Sequence, residues 1–207
     1  MSDTRIYNPL DKRNLGASVM DAMLEGEANP LESLTEFEGA GIYALYYEGA
    51  FPAYETLVTR NRDGHPAVPI YVGKAVPVGA RKGDAGLNLP TGKSLYKRLA
   101  EHRDTLHAAR NLDVKDFQCR FLVVDDIWIP LAESLLITRF APLWNKIVDG
   151  FGNHDPGSGR YQGVCPRWDV LHPGREWAAR CKARPETAKA IESEVVQYLL
   201  TTAGGQS

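Results

Sequence analysis

Three polar side chains, Arg98, His102 and Glu133, have types and positions that make them candidates for chemistry. Arg98 and His102 lie four residues apart in a segment with helical periodicity, so both are expected to project from one face. Glu133 lies inside the apolar stripe of another helical segment, which begins at Pro130 and ends before Pro142. A carboxylate there is costly unless a cation pairs with it, either a protein arginine or a metal ion. His102 taken alone is also consistent with a hydrogen-bonded histidine at the edge of the core.

Two tyrosines lie beside glycines in segments that resemble strands. Tyr43 belongs to GIY and Tyr71 to YVG. A tyrosine in a strand usually serves packing, but a neighbouring glycine permits close approach of the backbone to another group. Both interpretations stay open from the residues alone.

The elements that must position these residues follow from composition and periodicity. Strands are predicted in GIYALYY, VPIYVGKA and FQCRFLVVDD, which are aromatic and β-branched. Helices are predicted after Ser94, from Pro130, in the N-terminal ASVMDAMLEG and in a tail segment that opens at HPGREWAARCKA. The order strand, strand, helix, strand, helix indicates an α/β fold with a central sheet of about three strands flanked by helices.

The segment TGKS, at Thr91 to Ser94, raises the possibility of a phosphate-binding loop for a nucleoside triphosphate. The nearest upstream glycine, Gly86, leaves five intervening residues where the motif has four. No apolar strand precedes it, so we predict no nucleotide binding and assign Ser94 as the N-cap of the following helix.

The composition is that of an ordinary globular protein. Its 207 residues are 43% hydrophobic and 24% charged, and no apolar run approaches the ~20 residues that span a bilayer. With no hydrophobic leader at the N-terminus, the expected location is cytoplasmic, without membrane contact. Three widely separated cysteines fit reduced thiols. A zinc site is disfavoured because the short paired spacings are absent among His154, Cys165, His172 and Cys181.

The net charge of −2 conceals an uneven distribution. Residues 1–40 hold three Lys/Arg against eight Asp/Glu, whereas residues 74–110 hold eight Lys/Arg against three Asp/Glu. The basic stretch, which includes a Gly- and Pro-rich loop at 75–93, could attract a phosphate backbone. A solvated helix face is the alternative.

Taken together, these residues resemble the signature of the GIY-YIG nucleases over roughly residues 39–150. The matching positions are Gly41-Ile42-Tyr43, Tyr71-Val72-Gly73-Lys74, Arg98, His102, Glu133 and Asn145, with Val72 in place of the usual isoleucine. The flanking segments VPIYVGKAVP, PLWNKIVDGFGNHDPG and HPGREWA are similar to small type II restriction enzymes of this family that cut a GC-rich hexanucleotide palindrome such as CCGCGG.

The resemblance implies a chemistry and a role for each residue. Glu133 would bind Mg²⁺, for which Mn²⁺ can substitute, and Arg98 would brace the phosphate. Tyr43 would activate water, helped by neutral His102 or by the positive field of Lys74 and Arg98, because a phenol is otherwise a poor base at neutral pH. Whether Tyr43 or His102 finally takes the proton stays open. Tyr71 would position water or phosphate, and Asn145 would orient Glu133 or the DNA.

The resemblance also implies partners and a domain plan. A palindromic site in double-stranded DNA suits a homodimer, and a protective DNA methyltransferase is a functional partner. The plan is an arm at 1–38 for subunit or DNA contacts, a nuclease core at 39–150 and a DNA-recognition extension at 151–207. The DNA-binding candidates are Arg81, Lys82, Lys93, Asn153, His154, Arg160, Arg167 and Arg175, most of them for phosphate.

Two alternatives remain. A homing or repair nuclease of the same family usually has a long separate DNA-binding domain, and only residues 151–207 follow the core. A DNA-binding module without catalysis would be expected to lack Tyr43, Arg98 or Glu133, and all three are present.

Overall fold

A computed structural model of the protein describes residues 8, 10–61, 66–77 and 92–204. Within these ranges the strands are β1 (Asn29–Pro30), β2 (Gly41–Tyr47), β3 (Tyr71–Ala75) and β4 (Phe117–Val123). The helices are α1 (Lys12–Glu25), α2 (Glu55–Asn61), α3 (Ser94–Ala108), α4 (Ile129–Phe140), α5 (Leu143–Lys146), α6 (Arg167–Leu171) and α7 (Ala188–Gly204). The predicted α/β class and the three predicted strands are confirmed.

The strands form one antiparallel sheet in the order β1-β4-β2-β3, with β3 at an edge. Every residue of β2 is buried, because this central strand is covered on both faces. That burial explains why GIYALYY is a continuous apolar run rather than an alternating one. The sheet gains β1, which the sequence did not predict because a two-residue strand has no period to detect.

Alternate residues of β2 point into two different cores. Tyr43, Leu45 and Tyr47 pack in the larger cluster with side chains of α3, α5, α6 and α7. Ile42, Ala44 and Tyr46 pack in a smaller cluster with α1 and α4. The period-2 geometry of the strand therefore divides the molecule into two helical layers around the sheet.

The described part of the N-terminal segment packs on the sheet and on α4. Met23 of α1 is buried in the smaller cluster, and β1 pairs with β4. The apolar face of the predicted helix ASVMDAMLEG is thus covered by other residues of the same chain. A role of residues 1–38 in subunit or DNA contacts stays a prediction.

The C-terminal segment shares the larger core. Trp168, Leu171, Ile191, Val195 and Leu199 belong to the same cluster as Tyr43. The boundary predicted at residue 150 therefore does not separate two hydrophobic cores.

The predicted helix at HPGREWAARCKA is wrong. The structure forms only a single 3-10 turn there, at Ala178–Arg180. Gly174 lies against the carbonyl of Ala108, where a methyl group would overlap it, and Arg175 turns inward to Asp169. The helix of this region is α7, further along the chain.

Two smaller differences concern helix starts. Ser94 is the first residue of α3 and Lys93 holds the N-cap position, so the predicted cap is one residue off. The helix expected from Pro130 begins one residue earlier, at Ile129. Among the described residues, no helix is both long and apolar enough to cross a membrane.

A buried polar chain ties α5, α6 and the segment before α2 together. The Trp144 indole donates to Tyr54 Oη at 2.9 Å, and Tyr54 Oη lies 2.6 Å from His172 Nε2. His172 Nδ1 lies 3.0 Å from the side-chain oxygen of Asn111. Burial lowers the pKa of His172 from 6.5 to about 3, so the imidazole is neutral and every member of the chain has a partner.

We expect the free energy of unfolding of His172→Gln to depend less on pH in the acidic range than that of the wild type. Because the folded-state pKa of His172 is below its unfolded value, the unfolded chain binds more protons between pH 6.5 and 3. The free energy of unfolding therefore falls as the pH is lowered through this window, by at most about 1.4 kcal/mol per pH unit for this group. Urea titrations at pH 6.5, 5.5 and 4.5 measure the slope. Exposed His107→Gln is the control, and an unchanged slope in His172→Gln would contradict the assignment.

Candidate active site

The two motif tyrosines share one face of the sheet beside its open edge. The β2–β3 register places Tyr43 opposite Gly73 and Leu45 opposite Tyr71, so Tyr43 and Tyr71 are diagonal neighbours. The Tyr43 ring lies across Gly73, where a methyl group would overlap the phenol oxygen. A methyl group on Gly41 would overlap the carbonyl of Leu122 in β4. Both motif glycines are therefore required for close approach.

Tyr43 forms a buried hydrogen bond with His102 of α3. The phenol oxygen lies 2.5 Å from Nε2, and neither residue is more than 1% exposed. Phe151 stacks on the imidazole with ring centroids 4.5 Å apart and an interplanar angle of 15°. The phenol and the imidazole are thus held in one orientation relative to each other.

Burial sets the protonation of this pair. It raises the pKa of Tyr43 well above 10, with the Tyr71 charge acting in the same direction and Arg98 acting against it. Burial, followed by the charge of Arg98, lowers the pKa of His102 well below 6.5. The phenol and the imidazole are therefore both neutral. Arg98 acts to lower the pKa of Tyr43, as expected from the sequence, but desolvation outweighs it in this structure.

Arg98 lies one helical turn before His102, and its donors are taken by the chain itself. One terminal nitrogen donates to Glu101 at 2.8 Å and to His154 Nε2 at 2.6 Å. The other donates to the carbonyl of Gly152 at 2.8 Å. The segment around Gly152 packs so closely that a methyl group on this residue would lie 2.7 Å from the Tyr71 hydroxyl.

Glu133 of α4 reaches the same site from the opposite face of the sheet. Its carboxylate pairs with Lys74 of β3 at 2.7 Å, and its side chain is 20% exposed. The cation that compensates Glu133 is therefore a lysine rather than the arginine considered from the sequence. The two faces of the sheet meet because β3 is an edge strand.

These side chains line one open cleft of about 530 Å³. Tyr43, Tyr71, Lys74, Arg98 and Glu133 all contribute to it. The structure thus brings together the predicted aromatic, basic and acidic groups, and His102 supports them from behind Tyr43. Such a cleft can orient a phosphate and a water molecule between an arginine, a phenol and a carboxylate.

Asn145 contacts the edge strand β3. Its side-chain oxygen accepts from the Val72 amide at 2.8 Å, and its side-chain nitrogen donates to the Val72 carbonyl at 2.8 Å. The amide thus satisfies the outer edge of β3 as a neighbouring strand would. Its contacts in the structure orient β3, and a role toward Glu133 or the DNA stays a prediction.

The DNA-binding candidates fall into three groups. Arg81 and Lys82 lie outside the described residues. Asn153, His154 and Arg160 are exposed. Lys93, at the start of α3, pairs with Glu36. Arg167 pairs with partly exposed Glu194 of α7, whereas Arg175 is buried against Asp169.

Several residues of the site were not predicted from the sequence. Glu101 could have been found, because it lies three residues after Arg98 on the same helix. Gly152, Phe151 and Asp169 carry no local signal, since their contacts span long sequence separations. The described ranges contain no group of three or more His, Cys, Asp or Glu side chains suited to a metal ion.

The fold and the site define a class of protein. An antiparallel sheet with GIY on a central strand and YVG on the edge strand, Arg and His on one covering helix and Glu on the other, is the arrangement of a GIY-YIG nuclease. The profile of the Eco29kI GIY-YIG domain, a type II restriction endonuclease family, matches residues 35–199, and the chain belongs to this family. No curated protein sequence matches the chain significantly. The protein is therefore a restriction-type endonuclease acting on double-stranded DNA.

We expect Gly73→Ala to lower DNA cleavage by about 100-fold without unfolding the protein, because the added methyl group displaces the Tyr43 phenol from His102. Cleavage rates at saturating DNA, together with thermal unfolding, measure both parts of the prediction. Gly159→Ala is the matched control, since a methyl group there meets no atom within 4 Å. Wild-type cleavage by Gly73→Ala would show that the Tyr43–His102 geometry is dispensable.

Proposed function

We propose that the protein is a Mg²⁺-dependent type II restriction endonuclease that cuts a GC-rich hexanucleotide palindrome, such as CCGCGG, as a cytoplasmic homodimer. The observation that carries the proposal is the convergence of Tyr43, Arg98 and Glu133 on one open cleft, with His102 hydrogen-bonded behind Tyr43. A protective methyltransferase acts on the same DNA sequence as a functional partner.

Tyr43 and His102 act together in the proposed hydrolysis. Because burial raises the pKa of Tyr43, the resting protein holds no phenolate. The phenol oxygen accepts a proton from the attacking water while the Tyr43 proton passes to His102 Nε2, 2.5 Å away. The water oxygen bonds to phosphorus, the bond to the 3′ oxygen breaks, and that oxygen takes a proton from solvent. Bound phosphate favours a protonated His102 by its negative charge.

Arg98 braces the phosphate through an exchange of partners. In the DNA-free protein its terminal nitrogens bind Glu101, His154 and Gly152. A phosphate oxygen in the cleft is a strong acceptor for a guanidinium and replaces exposed Glu101 or His154. The Gly152 carbonyl keeps the other end of Arg98 aligned during this exchange.

Glu133 fits the metal that the family implies. It is a single, partly exposed carboxylate in an open cleft, and a cation, the Lys74 ammonium, already lies 2.7 Å from it. One carboxylate suits Mg²⁺, which keeps several waters and takes remaining ligands from phosphate. Bound there, the ion supplies positive charge that neutralises the leaving 3′ oxygen.

Metal binding is expected to depend on Glu133 and to be opposed by Lys74. We expect Glu133→Gln to abolish Mn²⁺ binding to the DNA-free protein. Lys74→Met is expected to tighten it about fivefold, because a partly exposed ion pair contributes up to about 1 kcal/mol. The electron paramagnetic resonance signal of free Mn²⁺ measures binding without any cleavage assay. Lys97→Met, at another lysine of the cleft, controls for total charge. Equal affinities in all variants would place the metal elsewhere.

The dimer follows from the symmetry of the substrate. A palindrome presents the same sequence to two identical subunits, and each strand needs one cleft. Exposed Asn153, His154 and Arg160, and Lys93 near the start of α3, are donors for phosphate or guanine near the site. The basic residues Arg81 and Lys82 complete the proposed DNA-binding set.

The restriction activity is expected to be visible on plasmid DNA that carries several GC-rich palindromes. We expect discrete Mg²⁺-dependent cuts at one palindrome, lost with EDTA and in Glu133→Gln, and a dimeric mass in analytical ultracentrifugation. Sequencing of the fragment ends identifies the site. Cuts at a long asymmetric site would favour a homing-type nuclease. DNA binding without cleavage by the wild-type chain would favour a binding module.

A further inference from the structure

Arg175 is a buried arginine whose every donor has a partner inside the chain. A guanidinium has five N–H groups. Two of them bind Asp169, from Nε to Oδ1 at 2.6 Å and from a terminal nitrogen to Oδ2 at 2.5 Å. The other three bind backbone carbonyls, those of Gly150 at 2.8 Å, Phe151 at 3.1 Å and Asn153 at 2.9 Å.

The surroundings of Arg175 make this arrangement rigid. The guanidinium lies 4.8 Å from the ring of Trp168 and 4.6 Å from the ring of Trp177. The side chains of Arg175 and Asp169 are 5% and 2% exposed. A buried pair with bidentate geometry and aromatic contacts holds one orientation, because any rotation leaves a buried donor or carbonyl unpaired.

The three carbonyls held by Arg175 belong to the segment that contacts the catalytic cleft. Between them lies Gly152, whose carbonyl accepts from Arg98 at 2.8 Å. Phe151, whose carbonyl Arg175 holds, stacks on His102. A single guanidinium therefore holds the backbone from Gly150 to Asn153, and that backbone aligns both Arg98 and His102.

We propose that Arg175 is a positioning residue of the nuclease: with Asp169 it clamps residues 150–153 so that the Gly152 carbonyl and the Phe151 ring orient Arg98 and His102 for attack on DNA. The proposal rests on the roles proposed above for Arg98 and His102. It replaces the sequence-based expectation that Arg175 contacts DNA, since no donor of its guanidinium is left for a phosphate.

The test uses Arg175→Lys and the double variant Arg175→Met/Asp169→Asn in the full chain. Lysine keeps a positive charge beside Asp169, but its ammonium cannot donate hydrogen bonds to the carboxylate and to all three carbonyls at once. The double variant removes both charges and leaves no lone buried carboxylate. Arg120→Met is the matched control, because the whole residues Arg120 and Arg175 are each 7% exposed. Arg120 binds the carbonyls of Gly26 and Pro66 and lies over the ring of Tyr46, away from the cleft.

Two measurements are made on each folded variant. Amide hydrogen exchange of residues 150–153 reports the clamp, since the Asn153 amide donates to the Gly150 carbonyl. Single-turnover cleavage at saturating DNA, with the DNA dissociation constant, reports positioning. We expect faster exchange in both Arg175 variants and a cleavage rate about 100-fold lower, with little change in affinity or its salt dependence. Arg120→Met is expected to change neither the exchange nor the rate.

The opposite results overturn the inference in distinct ways. Weaker, more salt-sensitive binding with an unchanged rate would make Arg175 a DNA contact. An equal loss of cleavage rate in Arg120→Met would show that the Arg175 substitutions act through general stability. Unchanged amide hydrogen exchange of residues 150–153 in both Arg175 variants would show that Arg175 does not hold this segment, whatever the cleavage rate. If the wild-type chain cuts no DNA, the proposed function fails, while the exchange measurement still decides whether Arg175 holds the segment.

Discussion

The buried hydrogen bond between Tyr43 and His102 is the constraint on which the rest of the site depends. It requires β2 and α3 to approach closely, and it requires a residue without a side chain at Gly73, opposite Tyr43 in the sheet. Phe151 stacks on the imidazole and contributes to its burial, and burial is the main cause of the lowered pKa of His102. One contact thus links a strand register, a helix position and a C-terminal segment.

The position of β3 at the sheet edge explains how one cleft receives groups from both faces. Tyr43 belongs to the larger core, whereas Lys74 meets Glu133 on the side of α4. In the interior of a sheet these groups would be separated by a neighbouring strand. An exposed strand edge is a liability, and here the Asn145 amide satisfies the outward N–H and C=O of Val72. These two groups of the edge strand are therefore not available for pairing with another strand.

Charges in the DNA-free site are neutralised by partners that the chain supplies. Glu133 has Lys74, and Arg98 has Glu101 with the Gly152 carbonyl. These pairs are partly exposed, so exchanging them for a phosphate or a cation costs little. The Arg175–Asp169 pair is buried and costly to break, which suits a scaffold rather than a ligand contact. Exposure thus separates the charges that can act on DNA from those that hold the backbone.

The sequence by itself determined the three main strands, the helices α1, α3 and α4, and the cleft residues Tyr43, Tyr71, Lys74, Arg98 and Glu133. These carry local signals, because strand and helix periods and the GIY and YVG glycines are readable within a few residues. Only the tertiary structure decided that Lys74 pairs with Glu133, that Asn145 binds the edge of β3 and that Arg175 points inward. Each of these contacts joins residues far apart in the chain, so no short pattern encodes it. The direction of the Tyr43 pKa likewise depends on burial, which arises only when the layers pack.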